Sequence, residues 1–484
     1  MQYIIDQIAS LYSSRFNVNP EHIEKIPQSG SDRVYYRVTG PVTCIATASK
    51  NIRENQTFLK FSEHFKSHDC PVPEIFLVNE DETIYLQEDF GDVSLLNVLE
   101  QNGYHHHAYS LFQQALQRLA YMQIRGQENL NYDWCITSKE FGKQAILSDL
   151  LYYKYYFLDT LKIPYDKEKL IDDFDALSTY LTHVDHKYFM FRDFQSRNVM
   201  VKNDQVHFID YQGGMLGALQ YDVASLLWQA KAELPDEWKN NLLDYYMDCV
   251  DEVLHTKIDR TRFVSQYNGY VLIRLLQVLG AYGFRGLFER KAHFLTSIPI
   301  ALRNLKWFLS NKRVGIRLPE FERMLGLMVE EEVIHRFEPM KATEDTPLVV
   351  RINSFSYKLT GIPTDETDNG GGFVFDCRSI LNPGRFEEYK TQTGRDKDVK
   401  DLLEQQTRMP QFLNSIYNLV DIAVEDYMKR GFANLQISFG CTGGQHRSVY
   451  AADALARHIK NKYGVKIELK HLIQDAKNWI NQTY

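Results

Sequence analysis

The stretch YFMFRDFQSRNVMVKNDQVHFIDYQGG, residues 188–214, decides how the first two thirds of the chain are read. Asp193 is followed five residues on by Asn198, and 17 residues on by Asp210, which ends the apolar run VHFID. Any one of these three is an ordinary turn or strand-cap residue. Together they suit phosphoryl transfer: one carboxylate orients the attacking hydroxyl, while an amide oxygen and a second carboxylate hold magnesium on nucleotide phosphates. A short strand pair around NVMVKNDQVHFIDY brings the two metal ligands, Asn198 and Asp210, together. Arg192 and Arg197 add positive charge, and Gly213, Gly214 and Asp222 follow.

Working outward, residues 1–92 are expected as a small sheet-rich lobe. RVYYRVTG and TCIATA look like strands, ENQTFLKFSEHFKS has a helical period, and EIFLVNEDETIYLQEDFGD looks like two strands joined at Asn79–Glu82. Residues 93–337 are expected to be mostly helical, with YSLFQQALQRLAYMQI and FVSQYNGYVLIRLLQVLGAYGF as long helices. EPMKATEDTP (338–347) is polar with two prolines and is expected as a linker. Beyond it, LVVRINSFSY, GGFVFDCRS and NLQISF alternate with helical segments, which implies a small α/β domain over 347–484.

With 484 residues the chain exceeds a single core, and 44% hydrophobic with 24% charged residues is an ordinary globular balance. A net charge of −8 argues against a general nucleic-acid coat. Residues from 347 on carry 18 Lys+Arg against 16 Asp+Glu, leaving 37 against 47 before them, so the local positive balance sits in the last domain. Cys44, Cys70, Cys135, Cys249, Cys377 and Cys441 are scattered without a CxxC pair, which argues for a reducing, cytoplasmic setting. MQYIIDQIASLYSSRF reads as an amphipathic helix and not a leader. No run of about 18 apolar residues is seen, so no membrane partner is expected. The histidines of GYHHHAYS (103–110) read as a solvated loop, because consecutive residues point apart. LLYYKYYFLD (150–159) reads as helix packing, and KRVGIRLPEFERM (312–324) as a solvated face or turn.

A second motif lies at 440–448, GCTGGQHRS, between NLQISF and VYAADALARHI. Strand, glycine turn and helix N-terminus make an anion cradle of backbone N–H groups, and an arginine there grips two oxygens. Two readings remain. Cys441, Arg447 and Ser448 fit the C-x5-R-S pattern of a cysteine-dependent phosphatase, with Asp376 as acid. The other is a receptor for a phosphorylated metabolite.

RDFQSRNVM, IDYQ and YDVASLLW resemble the aminoglycoside phosphotransferase/choline kinase family, a branch of the protein-kinase-like fold. Within it they are most similar in wording to the anomeric kinases of N-acetylmuramate and N-acetylglucosamine. The resemblance covers roughly residues 1–335 and implies an α+β bilobal kinase-like domain, ATP and Mg²⁺ as cofactors, and a sugar as acceptor. It assigns Asp193 as the catalytic carboxylate and Asn198 and Asp210 to the metal. Gly30 and Ser31, in QSGSDRVYYRV, would meet phosphates, and the backbone of Glu88 to Phe90 would meet adenine. Two positions depart from the pattern. Phe191 stands where the family has His, and CIATA offers no phosphate-clamping lysine. Arg33 or Lys50 is the candidate substitute, and Glu54 its acidic partner.

GGFVFDCRSILNPGRFEEYKTQTGRDKDVKDLL with ISFGCTGGQHRSV resembles the C-terminal domain of RapZ, the RNase adaptor protein, over about 347–475. The resemblance implies a strand–phosphate loop–helix unit that binds a sugar phosphate through Thr442, Gly443, Gly444, His446 and Arg447, with Asp376, Cys441 and Ser448 beside it. It also implies small-RNA binding. The family's NPHY appears here as Asn382-Pro383-Gly384-Arg385, and no GxxxxGK[ST] occurs. An RNA-binding adaptor with a degenerate kinase domain is therefore the alternative to an enzyme. Both resemblances point to phosphorylated amino sugars in cell-wall precursor recycling.

Overall fold

The computed structural model describes residues 2–26, 33–184, 186–289, 292–338, 340–367 and 371–475. The chain divides into two compact units, Met1–Gly283 with Ile300–Val333, and Phe284–Pro299 with Ile334–Tyr484.

The first unit opens with the expected helix, Gln2–Phe16. Five antiparallel strands follow: β1 (His22–Lys25), β2 (Val34–Thr39), β3 (Cys44–Ala48), β4 (Ile75–Val78) and β5 (Ile84–Glu88), in the order β1-β2-β3-β5-β4. The central strand β3 is buried throughout, which is why CIATA runs apolar instead of alternating. Helix Ile52–Ser67 links β3 to β4. Asn51 caps it by accepting the Glu54 N–H, and Phe58, Phe61 and Phe65 fall on one buried face. Each such ring contributes roughly 2–3 kcal/mol on burial. Asn79 fixes the turn before β5 by accepting the Ile84 N–H at 2.9 Å.

The remainder of this unit is helical, including His106–Ile124 and Arg260–Tyr282, with two small antiparallel pairs. β6 (Tyr188–Met190) pairs with β9 (Met215–Gly217), and β7 (Val199–Lys202) with β8 (Gln205–Phe208). The β7–β8 pair is the expected hairpin, whereas β6 and β9 are too short to leave a periodic signal. His106 and His107 open a helix instead of sitting in a loop, and both are exposed. Among the described residues one helix, Arg260–Phe288, is long and apolar enough to cross a membrane, with mean hydropathy 1.4, although half of that stretch is buried inside the protein. Gln266, Asn268, Arg274 and Gln277 interrupt its apolar text.

In the second unit four parallel strands, β10 (Val349–Ser356), β11 (Gly372–Asp376), β12 (Asn434–Cys441) and β13 (Lys466–His471), lie in the order β11-β12-β10-β13. Val350, Ile352, Leu435, Ile437 and Phe439 meet Leu413, Val420, Leu455 and Ile459 from the covering helices Met409–Arg430 and Arg447–Tyr463. The stretch expected as a linker is tied to this unit: the Ala342 N–H donates to the Tyr463 carbonyl at 2.7 Å, and Lys341 Nζ to the Asn461 carbonyl at 2.8 Å. β10 and β12 are neighbours whose onward connections lead to opposite edges of the sheet. Crevices at such switch points, outside the carboxyl ends of the strands, are where α/β sheets bind ligands.

Candidate functional site

Ser196–Asn198 forms a single tight turn after Asp193. That turn folds Asn198 back, so its Nδ2 donates to the Asp193 carbonyl at 2.9 Å. The same Nδ2 lies 3.4 Å from Asp210 Oδ2, just past the end of the β7–β8 hairpin. Asp210 takes φ 70°, the left-handed region, which is costly for most side chains and tolerated by Asp. Gln212 Nε2 steadies it by donating to Oδ1 at 2.8 Å. Asn198 and Asp210 line a cleft of about 310 Å³ with Arg33, Glu88 and Phe90. Asp193 does not line it. Its carboxylate accepts from Gln195 Nε2 at 2.9 Å and stands 4.0 Å from Arg274.

The catalytic-type loop is held from below by Asp222. Its carboxylate accepts the N–H of Phe191 at 2.7 Å, the N–H of Arg192 at 3.0 Å and Gln123 Nε2 at 2.9 Å. Asp222 is fully buried, and burial pushes its carboxyl up to about 7 despite these donors. Phe191, at the departure from His, is also buried and meets Phe194, Phe208 and Tyr211 edge-on at 5.1, 6.1 and 5.9 Å. The loop is thus anchored by apolar packing at a place where the family uses a polar ring. Tyr211, next to Asp210, stacks on Phe58 of helix Ile52–Ser67 at 5.1 Å.

Of the two residues considered for the missing lysine, Arg33 lines the cleft. Its guanidinium pairs with Glu54 on helix Ile52–Ser67 and lies 3.9 Å from Asp210. Burial works against its charge, but Tyr35, Tyr85 and Glu54 outweigh it and hold the group above its ordinary value. Lys50 is exposed and is not among the residues lining the cleft. At the back of the cleft, Phe90 stacks on His207 at 4.1 Å. The Glu88 N–H is used by the Glu74 carbonyl at 2.9 Å, and Lys202 Nζ donates to the Asp89 carbonyl at 2.8 Å. Gly30 and Ser31 lie outside the described residues.

In the second unit Ser356 and Cys441 sit side by side at the carboxyl ends of β10 and β12. The loop after Cys441 curls around its sulfur: the Gly444 N–H donates to Sγ at 3.2 Å, and Ser448 Oγ lies 3.1 Å from it. Ser356 Oγ donates to the Thr442 carbonyl at 2.7 Å. Arg447 is 3% exposed; it donates to the Ile380 carbonyl at 2.8 Å and reaches Thr442 Oγ1 at 3.4 Å, while its buried Nε has no partner. His446 Nε2 meets the Tyr389 carbonyl at 2.8 Å, and burial lowers the ring's pKa. Gly384, where the family pattern has His, sits against this ring, since a Cβ there would lie 3.3 Å from Cε1. Asp376 pairs with Arg378 at 2.6 Å, which holds its carboxyl below the usual range. Gly443 has no neighbour within 4 Å of where a Cβ would stand, so the loop presents this residue to open space.

Sequence reading assigned no role to Arg274 or Gln229. Arg274 interrupts the apolar text YVLIRLLQVLG, and a lone cation inside such a helix was the available signal. Gln229 left none, because its partner, Ser196, is 33 residues away.

Residues 22–254 match the model of the phosphotransferase enzyme family, and residues 348–474 match that of the RapZ C-terminal domain. Two segments of the chain are thus similar to two known families. A nucleotide-binding protein of Fervidobacterium nodosum is 38% identical over 130 residues, which is 27% of this chain and 44% of that protein. One from Ruminiclostridium cellulolyticum is 36% identical over 131 residues, 27% of this chain and 43% of that protein. The chain therefore spans less than half the length of these curated relatives. Among solved structures, the choline kinase LicA from Streptococcus pneumoniae aligns with 64% of this chain and 99% of its own, at 13% identity and a TM-score of 0.42. The amicoumacin kinase hAmiN, solved with AMP-PNP, Ca²⁺ and Ami, aligns with 66% of this chain and 96% of its own, at 11% identity and a TM-score of 0.45.

Proposed function

We propose that the first unit transfers the γ-phosphoryl group of ATP to a sugar hydroxyl, that of an amino sugar at its anomeric position, and that the second unit binds a sugar phosphate. The observation that carries the first part is Asn198, whose amide touches both the Asp193 carbonyl and the Asp210 carboxylate at the wall of the cleft. The phosphotransferase family match over the same residues supports it.

In this reading adenine lies against Glu88 to Phe90, and Arg33, set by Glu54, faces the phosphates. Asp193 accepts or orients the proton of the attacking hydroxyl, with Arg274 4.0 Å from its carboxylate. The Asn198 amide oxygen and the Asp210 carboxylate are hard oxygen donors, and two such ligands suit Mg²⁺, which keeps waters and phosphate oxygens as its others. Bound there, the ion would neutralise phosphate charge.

For the second unit, the support is a preformed loop at a switch point with a buried arginine reaching Thr442. Thr442, Gly443 and Gly444 would offer backbone N–H groups to the phosphate, with Arg447 behind them. Arg447 spends one nitrogen on main-chain carbonyls, which fixes the guanidinium and leaves its remaining N–H groups for two oxygens of an anion.

The test is a sugar panel with coupled ADP detection. ATP consumption with one amino sugar, and none from Asp193→Ala, is expected; no consumption with any sugar overturns the kinase reading. Calorimetry with glucosamine 6-phosphate, beside RNA gel shifts across a salt series, separates a receptor from an RNA adaptor.

A further inference from the structure

The small sheet sorts its side chains by strand alternation. On β5, Ile84 and Leu86 turn to the core that Ile8 and Tyr12 of helix Gln2–Phe16 fill. Tyr85 and Gln87 turn the other way and line the cleft of about 310 Å³. β3 does the same. Cys44 and Ala46 join the core, whereas Ile45, the direct neighbour of Gln87 across the ladder, lines the cleft.

Gln87 therefore carries an amide into a cleft that Ile45, Phe90, Met200 and Ile209 also line. It is 8% exposed, and its Oε1 is buried with no hydrogen-bond partner. Such an orphan is rare in folded proteins, because it forfeits the bonds it made with water. The polar groups next to it in the chain are already in use. The Glu88 carboxylate pairs with Lys66 at 3.2 Å and the Asp89 carboxylate with Arg37 at 2.7 Å, while the Glu88 N–H and the Asp89 carbonyl are taken by Glu74 and Lys202. The amide of Gln87 is left over.

The chemistry of this wall names its occupant. Apolar side chains with one amide among them fit a flat heterocycle that carries a polar group on its edge. An amide holds a donor and an acceptor, and half a turn about its last bond exchanges them. Its oxygen meets an exocyclic amine, and its nitrogen meets a carbonyl oxygen. We infer that Gln87 reads the 6-position of the purine in the donor nucleotide, and that the proposed kinase takes 6-amino and 6-oxo purine triphosphates alike. The inference rests on the kinase reading and goes beyond its ATP.

Nucleotide affinity is measured by calorimetry on the full-length protein with Mg²⁺ and no sugar. The probes are ATP, inosine triphosphate and the triphosphate of purine riboside, which has hydrogen at position 6. ATP and inosine triphosphate are expected to bind within about threefold of each other, and the 6-hydrogen analogue about tenfold more weakly, as the loss of one hydrogen bond predicts. In Gln87→Met and Gln87→Leu, whose side chains keep the bulk of glutamine, the three nucleotides are expected to bind equally. Each comparison is made within one protein sample, so a change in the folded fraction does not mimic it. A 6-hydrogen analogue that binds the unaltered protein as tightly as ATP, or an ATP preference over it that survives in both variants, overturns the assignment. Inosine triphosphate bound as weakly as the 6-hydrogen analogue overturns the dual use. The kinase reading fails separately: the expected nucleotide pattern without ADP formation from any sugar keeps Gln87 as the base reader, and no nucleotide binding at all removes both.

Discussion

In the proposed reading the cleft of the first unit and the loop at 440–448 both hold phosphate, in opposite ways. At the cleft and the loop beside it the functional groups are side chains left partly open, with the side chains of Asp193 and Asp210 43% and 39% exposed. In the loop the side chains are spent on building: Ser448 is fully buried, Cys441 and Arg447 are 3% exposed, and the backbone is what faces outward. A transfer site must leave its oxygens free for a metal and a moving proton. A receptor can lock its side chains and offer fixed N–H dipoles, which cost little to reorganise.

The largest effect that sharpens this comparison is expected at Asp193, beside the cleft. Asp193→Ala should slow ADP formation about 10³-fold and leave the melting temperature unchanged, because an open side chain carries chemistry and little stability. Loss of folding in a thermal melt would break the contrast.

Below the loop, Asp453 is bound by Arg395 at 2.9 Å and lies 3.2 Å from His471, whose other nitrogen meets Ser354 at 2.7 Å. Asp453→Asn should cost about 2 kcal/mol in denaturant unfolding of the second unit, since it removes the charge that pairs the half-buried Arg395 and meets the buried His471. Burial alone would raise this carboxyl, but His471 and Arg395 outweigh it and bring the pKa down to about 2 from 3.8. Its contribution is therefore full above pH 4 and is lost as pH falls towards 2.

Next come two neighbours. Gly444 holds φ 67°, and a Cβ there would stand 2.6 Å from Ile473, so Gly444→Ala should cost about 2 kcal/mol. Gly443→Ala meets open space and should change stability by less than about 0.5 kcal/mol. If Gly443 faces the ligand, the second variant still weakens glucosamine 6-phosphate binding; equal binding would place the phosphate elsewhere.

The smallest effect is a pH dependence. Burial lifts Asp222 to about 7, so through this group the fold is most stable below about pH 4 and loses stability as pH climbs towards 7. Holding the loop needs the opposite state. Protonation takes an acceptor position from the Phe191 or Arg192 N–H, so kcat should fall as pH drops through about 7 while the melting temperature does not.

Much of this was legible in the text. RDFQSRNVM and IDYQ carry their spacing in sequence, because Asn198 reaches Asp193 through a local turn and Asp210 through a hairpin. GCTGGQHRS was legible for the same reason, being one continuous strand–turn–helix. Of the two candidates for the missing lysine, Arg33 lines the cleft and Lys50 does not, a difference in placement that the sequence does not carry. Arg274, Gln229 and β13 were not read at all: the first two act on partners far along the chain, and KIELKH is short and half charged.

The sequence by itself determined the local machinery: which carboxylates and amide share a loop, which glycines form a turn, and where strands alternate with helices. These follow from short-range sterics and periodicity. Only the tertiary structure decided that Arg33 faces Asp210, that Asp222 props the loop from beneath, and that Gln229 meets Ser196. Those choices depend on packing between distant elements, where burial, and no local rule, selects which polar groups must meet.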